Sequence, residues 1–146
     1  MSPPLSIGDI GHVIQLAIAP VFLLTGVGTL LAVLSNRLGR AVDRGRVVEK
    51  LLPGLAGEAL ALAHEELVLL SRRTKLIYTA IALAVGCAIF VCLLIAVAFI
   101  DAFLILNLAL TVAALFVLAM LALTGCLIVF LREIFLAVAS ARRTMR

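Results

Sequence analysis

The sequence lacks the short motifs that mark common enzyme classes. It contains no Gly-rich phosphate-binding loop, no nucleophile motif and no pair of carboxylates suited to acid–base chemistry. An active site needs several such groups in mutual reach, so these absences argue against an enzyme. No internal repeat, low-complexity tract or linker interrupts the chain, which predicts a single domain over residues 1–146.

Cysteine and histidine are scarce. The three cysteines, Cys87, Cys92 and Cys126, lie in apolar stretches, and the two histidines, His12 and His64, are far apart. None of them falls at zinc-ligand spacing, and Cys87 and Cys92 point in different directions on one predicted helix. We therefore expect no metal site and no cofactor, and we interpret the cysteines as small packing residues.

Basic residues are absent before Arg37 and around Asp101. All twelve fall in two groups: Arg37, Arg40, Arg44, Arg46, Lys50, Arg72, Arg73 and Lys75, and then Arg132, Arg142, Arg143 and Arg146. Because Lys and Arg are retained on the cytoplasmic face during insertion, this asymmetry predicts an N-terminus outside and a C-terminus inside. The first apolar run has no basic region before it and is not expected to be a cleaved signal peptide.

Long apolar runs are what the chain has in abundance. Hydrophobic residues make up 65% of the sequence, too many to bury in a soluble domain of this length. A helix of roughly 20 apolar residues crosses a bilayer. The sequence thus predicts an all-α integral membrane protein with three transmembrane helices, at about residues 13–34, 76–100 and 104–131. Asp101 is expected to cap the third helix or to lie among head groups.

The segment between the first two spans, about residues 35–75, keeps helical periodicity on both sides of Pro53 and Gly54. It predicts a cytoplasmic helical hairpin, which we call the hairpin. Folding at Pro53 pairs Lys50 with Glu58, and Arg44 or Arg46 with Glu65 or Glu66. Arg72, Arg73, Lys75 and Arg132 are expected to snorkel at the cytoplasmic interface. The third helix should continue through Glu133 towards Ser140.

A polar stripe follows one face of the first helix at about 100° per residue. Its members within the span are Gln15, Phe22, Thr25, Gly26, Thr29 and Asn36, and it continues into the hairpin through Arg40, Asp43 and Arg44. Polar side chains avoid hydrocarbon, so the stripe should face protein or water. It either packs on the second and third spans or meets copies of itself around a pore.

Two segments resemble a known family when taken together. They are IQLAIAPVFLLTGVGTLL, from Ile14 to Leu31, and SNRLGRAVDRGR, from Ser35 to Arg46. The chain resembles an uncharacterised family of small bacterial membrane proteins, a domain of unknown function. This resemblance implies a bacterial source and a cytoplasmic-membrane location, but no activity. If the two segments mark a working surface, the candidates are Gln15, Pro20, Asn36, Arg37, Arg40, Asp43, Arg44 and Arg46.

Two functions fit the sequence best. The first is a non-enzymatic homo-oligomer with a channel-like centre lined by the first helix, where Arg37, Arg40 and Arg44 form a basic vestibule that favours anions. The second is a membrane scaffold or accessory subunit whose basic hairpin surface binds a protein partner or anionic lipid. That surface comprises Arg37, Arg40, Asp43, Arg44 and Arg46. The net charge of +4 is attributed to membrane anchoring and anionic lipid, not to nucleic acid. A membrane enzyme or haem protein is the least favoured class.

Overall fold

A computed structural model describes residues 7–104 and 107–144, without the side chains of residues 7–10, 12, 13, 16 and 140–144. The chain forms helix α1 (Ile7–Leu51), a short 3-10 turn (Leu52–Gly54), helix α2 (Glu58–Leu104) and helix α3 (Ala109–Thr144). The side chains of His12, Ser140, Arg142 and Arg143, and all of Arg146, lie outside the described residues.

All three helices are long and apolar enough to cross a membrane. The membrane-capable stretches are Ala17–Gly54, Glu58–Leu104 and Ala109–Ala139. The all-helical class and the three apolar helices are therefore confirmed. The apolar and charged parts of the sequence share single helices, because no helix-breaking residue separates them between Pro20 and Pro53.

The break at Pro53 and Gly54 is where the sequence predicts it. Pro53 ends α1 because it cannot donate an interior helix hydrogen bond, and the amide of Leu55 instead donates to the carbonyl of Leu52 at 3.1 Å. Gly57 adopts a positive φ of 60°, which L side chains rarely adopt. Helix α2 then begins at Glu58.

The second break follows Leu104. Asp101, in the last turn of α2, accepts a hydrogen bond through Oδ1 from the amide of Leu108 at 3.0 Å. Leu108 immediately precedes α3, so Asp101 satisfies a backbone donor that the start of that helix would otherwise leave unpaired. The expectation that Asp101 caps the third helix is confirmed. Asn107 supplies the reversal with a positive φ of 55°.

The described chain divides into two compact units, and each helix contributes to both. The first unit combines the chain up to Leu30 with Leu83–Thr124. Its buried residues are mostly small: Pro20 and Val27 from α1, Ala84, Cys87, Val91 and Leu94 from α2, and Ala119 from α3. The burial of Cys87 agrees with a packing role, whereas Cys92 is exposed.

The second unit combines Leu31–Ala82 with the chain from Gly125 onward. Apart from Ala80, its buried residues recur every seventh position: Leu34, Ala41 and Val48 on α1, Ala63, Leu70 and Ile77 on α2, and Cys126 and Glu133 on α3. A seven-residue repeat is typical of coiled-coil packing, in which one seam of each helix faces its neighbours. One member of this otherwise apolar set is a carboxylate, and it organises the candidate site.

Candidate functional site

Glu133 is the one charged side chain that is fully buried among the described residues. Arg37 of α1 donates from Nη2 to Glu133 Oε2 at 2.5 Å. Arg73 of α2 donates from both Nε and Nη2 to Glu133 Oε1 at 3.1 Å. A single carboxylate of α3 thus binds two arginines from the other two helices. We call these three residues the Glu133 clasp.

The clasp is not electrically neutral, since two guanidinium groups share one carboxylate. Both arginines are largely buried, with side chains 23% and 22% exposed. Arg37 also lies over the ring of Phe130, 5.4 Å from its centroid, an arrangement that attracts a cation to the aromatic face. Arg37 Nε is buried and has no hydrogen-bond partner among the described residues. The clasp therefore retains a positive charge and an unused donor.

A cleft of about 300 Å³ opens beside the clasp within the second unit. Its lining comes from α1 and α2: Arg37, Arg40, Ala41, Arg44, Leu70 and Arg73. The three α1 arginines share a face because they are spaced three and four residues apart. We call this feature the arginine cleft.

Arg44, one of the cleft arginines, forms an ion pair with a carboxylate that is not part of the cleft lining. Arg44 Nε and Nη2 donate to Glu66 Oε1 and Oε2 at 2.6 and 3.2 Å, the parallel geometry of a bidentate pair. The hydrogen bond to Glu66 and the charge of its carboxylate raise the pKa of Arg44 further above its usual value, so Arg44 stays charged at any physiological pH. Arg40 is exposed and belongs to none of the three ion pairs of the described residues.

The cleft is suited to an anion. Four guanidinium groups stand against two carboxylates, Glu133 and Glu66, which leaves two positive charges uncompensated. Guanidinium forks match the geometry of phosphate and carboxylate oxygens. The described residues contain no group of three or more His, Cys, Asp or Glu side chains that could hold a metal ion.

The structure brings together part of the predicted basic surface. Arg37, Arg40 and Arg44 line the arginine cleft, whereas Arg46 lines a separate groove and Asp43 is exposed outside both. The sequence predicts a pair of Arg44 or Arg46 with Glu65 or Glu66, and the structure forms the pair of Arg44 with Glu66. The expected pair of Lys50 with Glu58 is not among the ion pairs of the described residues, both side chains being exposed near the hairpin turn.

Sequence reasoning missed the clasp. Arg73 was expected to snorkel towards head groups, but it turns inward because Glu133 offers a buried carboxylate. A usable signal existed: Glu133 is the sole acidic residue of α3 and lies seven residues after Cys126 and fourteen after Ala119. That spacing places it in the buried seam, where an unpaired charge would be costly.

The polar stripe lies away from the buried seam of α1. Gln15, Phe22, Thr25, Gly26, Thr29 and Asn36 are all exposed. The hydroxyls of Thr25 and Thr29 donate to the carbonyls of Val21 and Thr25, one turn back, at 3.3 and 3.1 Å. Packing of the stripe on α2 and α3 within one chain therefore finds no support, because the buried face of α1 is formed by Pro20, Val27, Leu34 and Ala41 instead.

A larger groove in the first unit offers few polar groups for recognition. It measures about 590 Å³ and its walls are apolar, with side chains such as Pro20, Phe99 and Phe116. Asp101 is the one ionisable residue in its lining, and its Oδ1 already accepts from Leu108. Specific recognition requires several convergent polar groups, so the arginine cleft is the better candidate site.

Comparison with known proteins places the chain in a family but not in a function. A family model described as a protein of unknown function (DUF2721) matches residues 17–143, so the chain belongs to this family. The match includes the whole Glu133 clasp and the whole arginine cleft. No curated protein and no solved structure matches the chain.

Proposed function

We propose that the protein is a non-enzymatic, multi-pass protein of the bacterial cytoplasmic membrane that acts as a scaffold or accessory subunit. Its N-terminus lies outside and its C-terminus inside, which makes the hairpin a cytoplasmic projection. The hairpin docks an acidic protein partner or anionic lipid. The observation that carries this proposal is the arginine cleft, where two positive charges lack counterions.

The cleft supports docking better than it supports catalysis. Its ionisable lining consists of arginines alone, and an arginine cannot exchange protons near neutral pH. Uncompensated charge at a surface steers oppositely charged partners and raises their association rate. The distribution of basic residues supports the cytoplasmic orientation. They follow the first and third apolar runs and precede the second, whereas none lies before the first run or around Asp101, and such residues anchor the chain on the cytoplasmic face.

Replacing Arg40 and Arg44 together by alanine should abolish recovery of the partner while the solubilised fold survives. Both side chains are exposed, so their loss removes charge without opening the buried seam. The measurement is affinity purification of the tagged, cross-linked protein from bacterial membranes, with helicity and elution volume as folding checks. The double variant Arg72→Ala, Lys75→Ala is the matched control, because it removes the same charge from exposed positions outside the cleft.

Three results would contradict docking through the cleft. One is equal recovery of the partner with both double variants and the unsubstituted protein. Another is the absence of any partner, together with no preference for anionic over zwitterionic vesicles. A partner confined to the outer side of the membrane would contradict the orientation.

A second candidate function is self-association through the polar stripe, with a channel-like centre. It is favoured by the exposure of all six stripe residues on a face that α2 and α3 leave uncovered. Small residues such as Gly26 allow membrane helices to approach closely, and Gln15 could hydrogen-bond across an interface. In such a channel, Arg40 would supply positive charge to the cytoplasmic vestibule, whereas Arg37 would not, because it is bound to Glu133 within the chain.

Gly26→Leu should shift the protein towards its 15.4 kDa monomer in native mass measurements and suppress anion flux in proteoliposomes. A Cβ atom added at Gly26 meets nothing within 4 Å, and Gly26 is exposed, so we expect the fold of one chain to tolerate leucine there while a close helix–helix interface would not. Gly28→Leu is the control, since Gly28 is equally open but lies about 200° away around the helix. A monomeric unsubstituted protein, or identical behaviour of both variants, would refute self-association through the stripe.

A further inference from the structure

We infer that the arginine cleft is a binding site for one phosphate group, carried by an anionic lipid or free in solution. The inference deepens the proposed docking function, because it names the chemical group that the cleft recognises. It depends on three independent features of the cleft. One hydrogen-bond donor is buried and has no partner among the described residues, most of the arginines are already held by carboxylates, and two of them lie close to the ends of the predicted membrane spans.

The unused donor is Arg37 Nε. It is buried and has no partner among the described residues, although Nη2 of the same guanidinium is bound to Glu133. Buried donors without acceptors are rare in native proteins, and each calls for an explanation. An oxygen of a phosphate in the cleft would accept from Nε while its remaining oxygens stay available to the other arginines.

The surrounding arginines are held in place by carboxylates that lie outside the cleft lining. Glu133 fixes Arg37 and Arg73, and Glu66 fixes Arg44. A site whose donors are already ordered loses little side-chain entropy when it binds. Arg40, which forms no ion pair with any described residue, is then the cation that remains free to close on the ligand.

The charge of the cleft fits a phosphate. Two positive charges remain after pairing with Glu133 and Glu66. A phosphodiester carries one negative charge, and a phosphomonoester carries about 1.5 to 2 at neutral pH. Both are neutralised without leaving a surplus of negative charge, and both present several acceptor oxygens to the guanidinium forks.

Depth favours a lipid as the source. Arg37 follows Leu34, the end of the first predicted span, by three residues, and Arg73 precedes Leu76, the start of the second, by three. At 1.5 Å per residue, both arginines lie about 4.5 Å beyond the apolar segments. The head-group layer occupies roughly 5–8 Å on each side of the hydrocarbon core, so two separate helices place Arg37 and Arg73 close to lipid phosphate depth. Arg40, six residues after Leu34, lies about 9 Å beyond the span, from where its long side chain can reach back towards the phosphate.

The test uses the full-length protein in a nonionic detergent and three probes. They are dioctanoyl phosphatidylglycerol, dioctanoyl phosphatidylcholine and inorganic phosphate, with binding measured by titration calorimetry. Phosphatidylglycerol should bind at least about tenfold more tightly than phosphatidylcholine, since the choline cation of the latter is repelled by the cleft. Arg40→Gln should weaken phosphatidylglycerol binding about tenfold, the usual scale of one lost charge-assisted hydrogen bond.

Arg46→Gln is the matched control, because it removes the same charge from an exposed position of α1 outside the cleft. It should leave binding within about twofold, as rim charges contribute little. Arg40→Lys keeps the charge but loses the fork, so an affinity between those of the unsubstituted protein and Arg40→Gln supports the site even if Arg40→Gln folds poorly.

Each outcome either identifies the source of the phosphate group or overturns the inference. Arg40-dependent binding of phosphatidylglycerol identifies a lipid as the source, and Arg40-dependent binding of inorganic phosphate alone identifies a soluble one. Equal loss in Arg40→Gln and Arg46→Gln, or no binding of either anionic probe, overturns the inference. If the Arg40→Ala, Arg44→Ala variant still loses its protein partner in that case, the docking function stands and only the phosphate site fails.

Discussion

Replacing Glu133 by glutamine lowers the free energy of unfolding by about 3 kcal/mol, the lower end of the cost of removing one partner from a buried ion pair. The substitution keeps the shape of the side chain and removes its charge. Arg37 and Arg73 then face each other in a largely buried position with no carboxylate. Their side chains are 23% and 22% exposed, which lets water reduce the cost and sets the estimate at the lower end.

The measurement is thermal or denaturant unfolding in mild detergent, followed by circular dichroism. Arg132→Gln is the matched control, because Arg132 is the exposed neighbour of Glu133 and also loses one charge. It should change stability by no more than about 0.5 kcal/mol, as surface substitutions usually do. If Glu133→Gln proves as mild as this control, the clasp is not a structural element.

A triple variant separates the charge from the packing. With Arg37, Arg73 and Glu133 all replaced by leucine, no buried charge remains, and stability should return to within about 1–2 kcal/mol of the original, since apolar residues of similar volume often replace buried ion pairs without loss. Phosphate binding in the cleft should nevertheless be lost, because two of its four guanidinium groups are gone.

Leu34→Ala lowers the free energy of unfolding by about 2 kcal/mol, the lower end of the range for large-to-small core substitutions. Leu34 is fully buried in the seam of α1, so its truncation leaves a cavity and removes dispersion contacts. The lower end applies because lipid is as apolar as leucine, which leaves lost packing as the main cost.

Leu131→Ala is the matched control for this prediction. The chemical change is the same, but Leu131 is 51% exposed on α3. Its effect should stay within about 0.5 kcal/mol. The two variants are compared by unfolding in the same detergent, and equal effects would show that the seven-residue seam does not carry the packing of the second unit.

The helices and the hairpin could be predicted because local rules decide them. Apolar length predicts the three membrane-capable helices, and Pro53 and Gly54 predict the break. Opposite charges predict that the arms of the hairpin pair, and the structure selects Arg44 and Glu66 from the candidates. Each of these features depends on residues that are close in sequence or that face each other across the single turn of the hairpin. Topology, the bacterial inner membrane and self-association remain predictions, since each concerns the membrane or other molecules.

The clasp was missed because it depends on contacts across 60 and 96 residues of sequence, and the spacing of Glu133 indicates its burial without indicating its partners. Arg73 and Arg132 are both basic residues next to an apolar run, and composition alone assigns them the same snorkelling role. Only its position on the same face of α3 as the buried Ala119 and Cys126 distinguishes Glu133 as an inward-facing residue. The buried carboxylate, in turn, is what draws Arg73 away from the surface.

The position of Glu133 along the chain has a consequence for biosynthesis. The first two helices carry both arginines of the clasp and leave the ribosome before the carboxylate that satisfies them is made. A chain that ends before α3 therefore keeps two largely buried arginines without the carboxylate that both of them bind, which is a destabilising arrangement. The first two helices are thus expected to pack stably against each other only after the C-terminal helix has been synthesised.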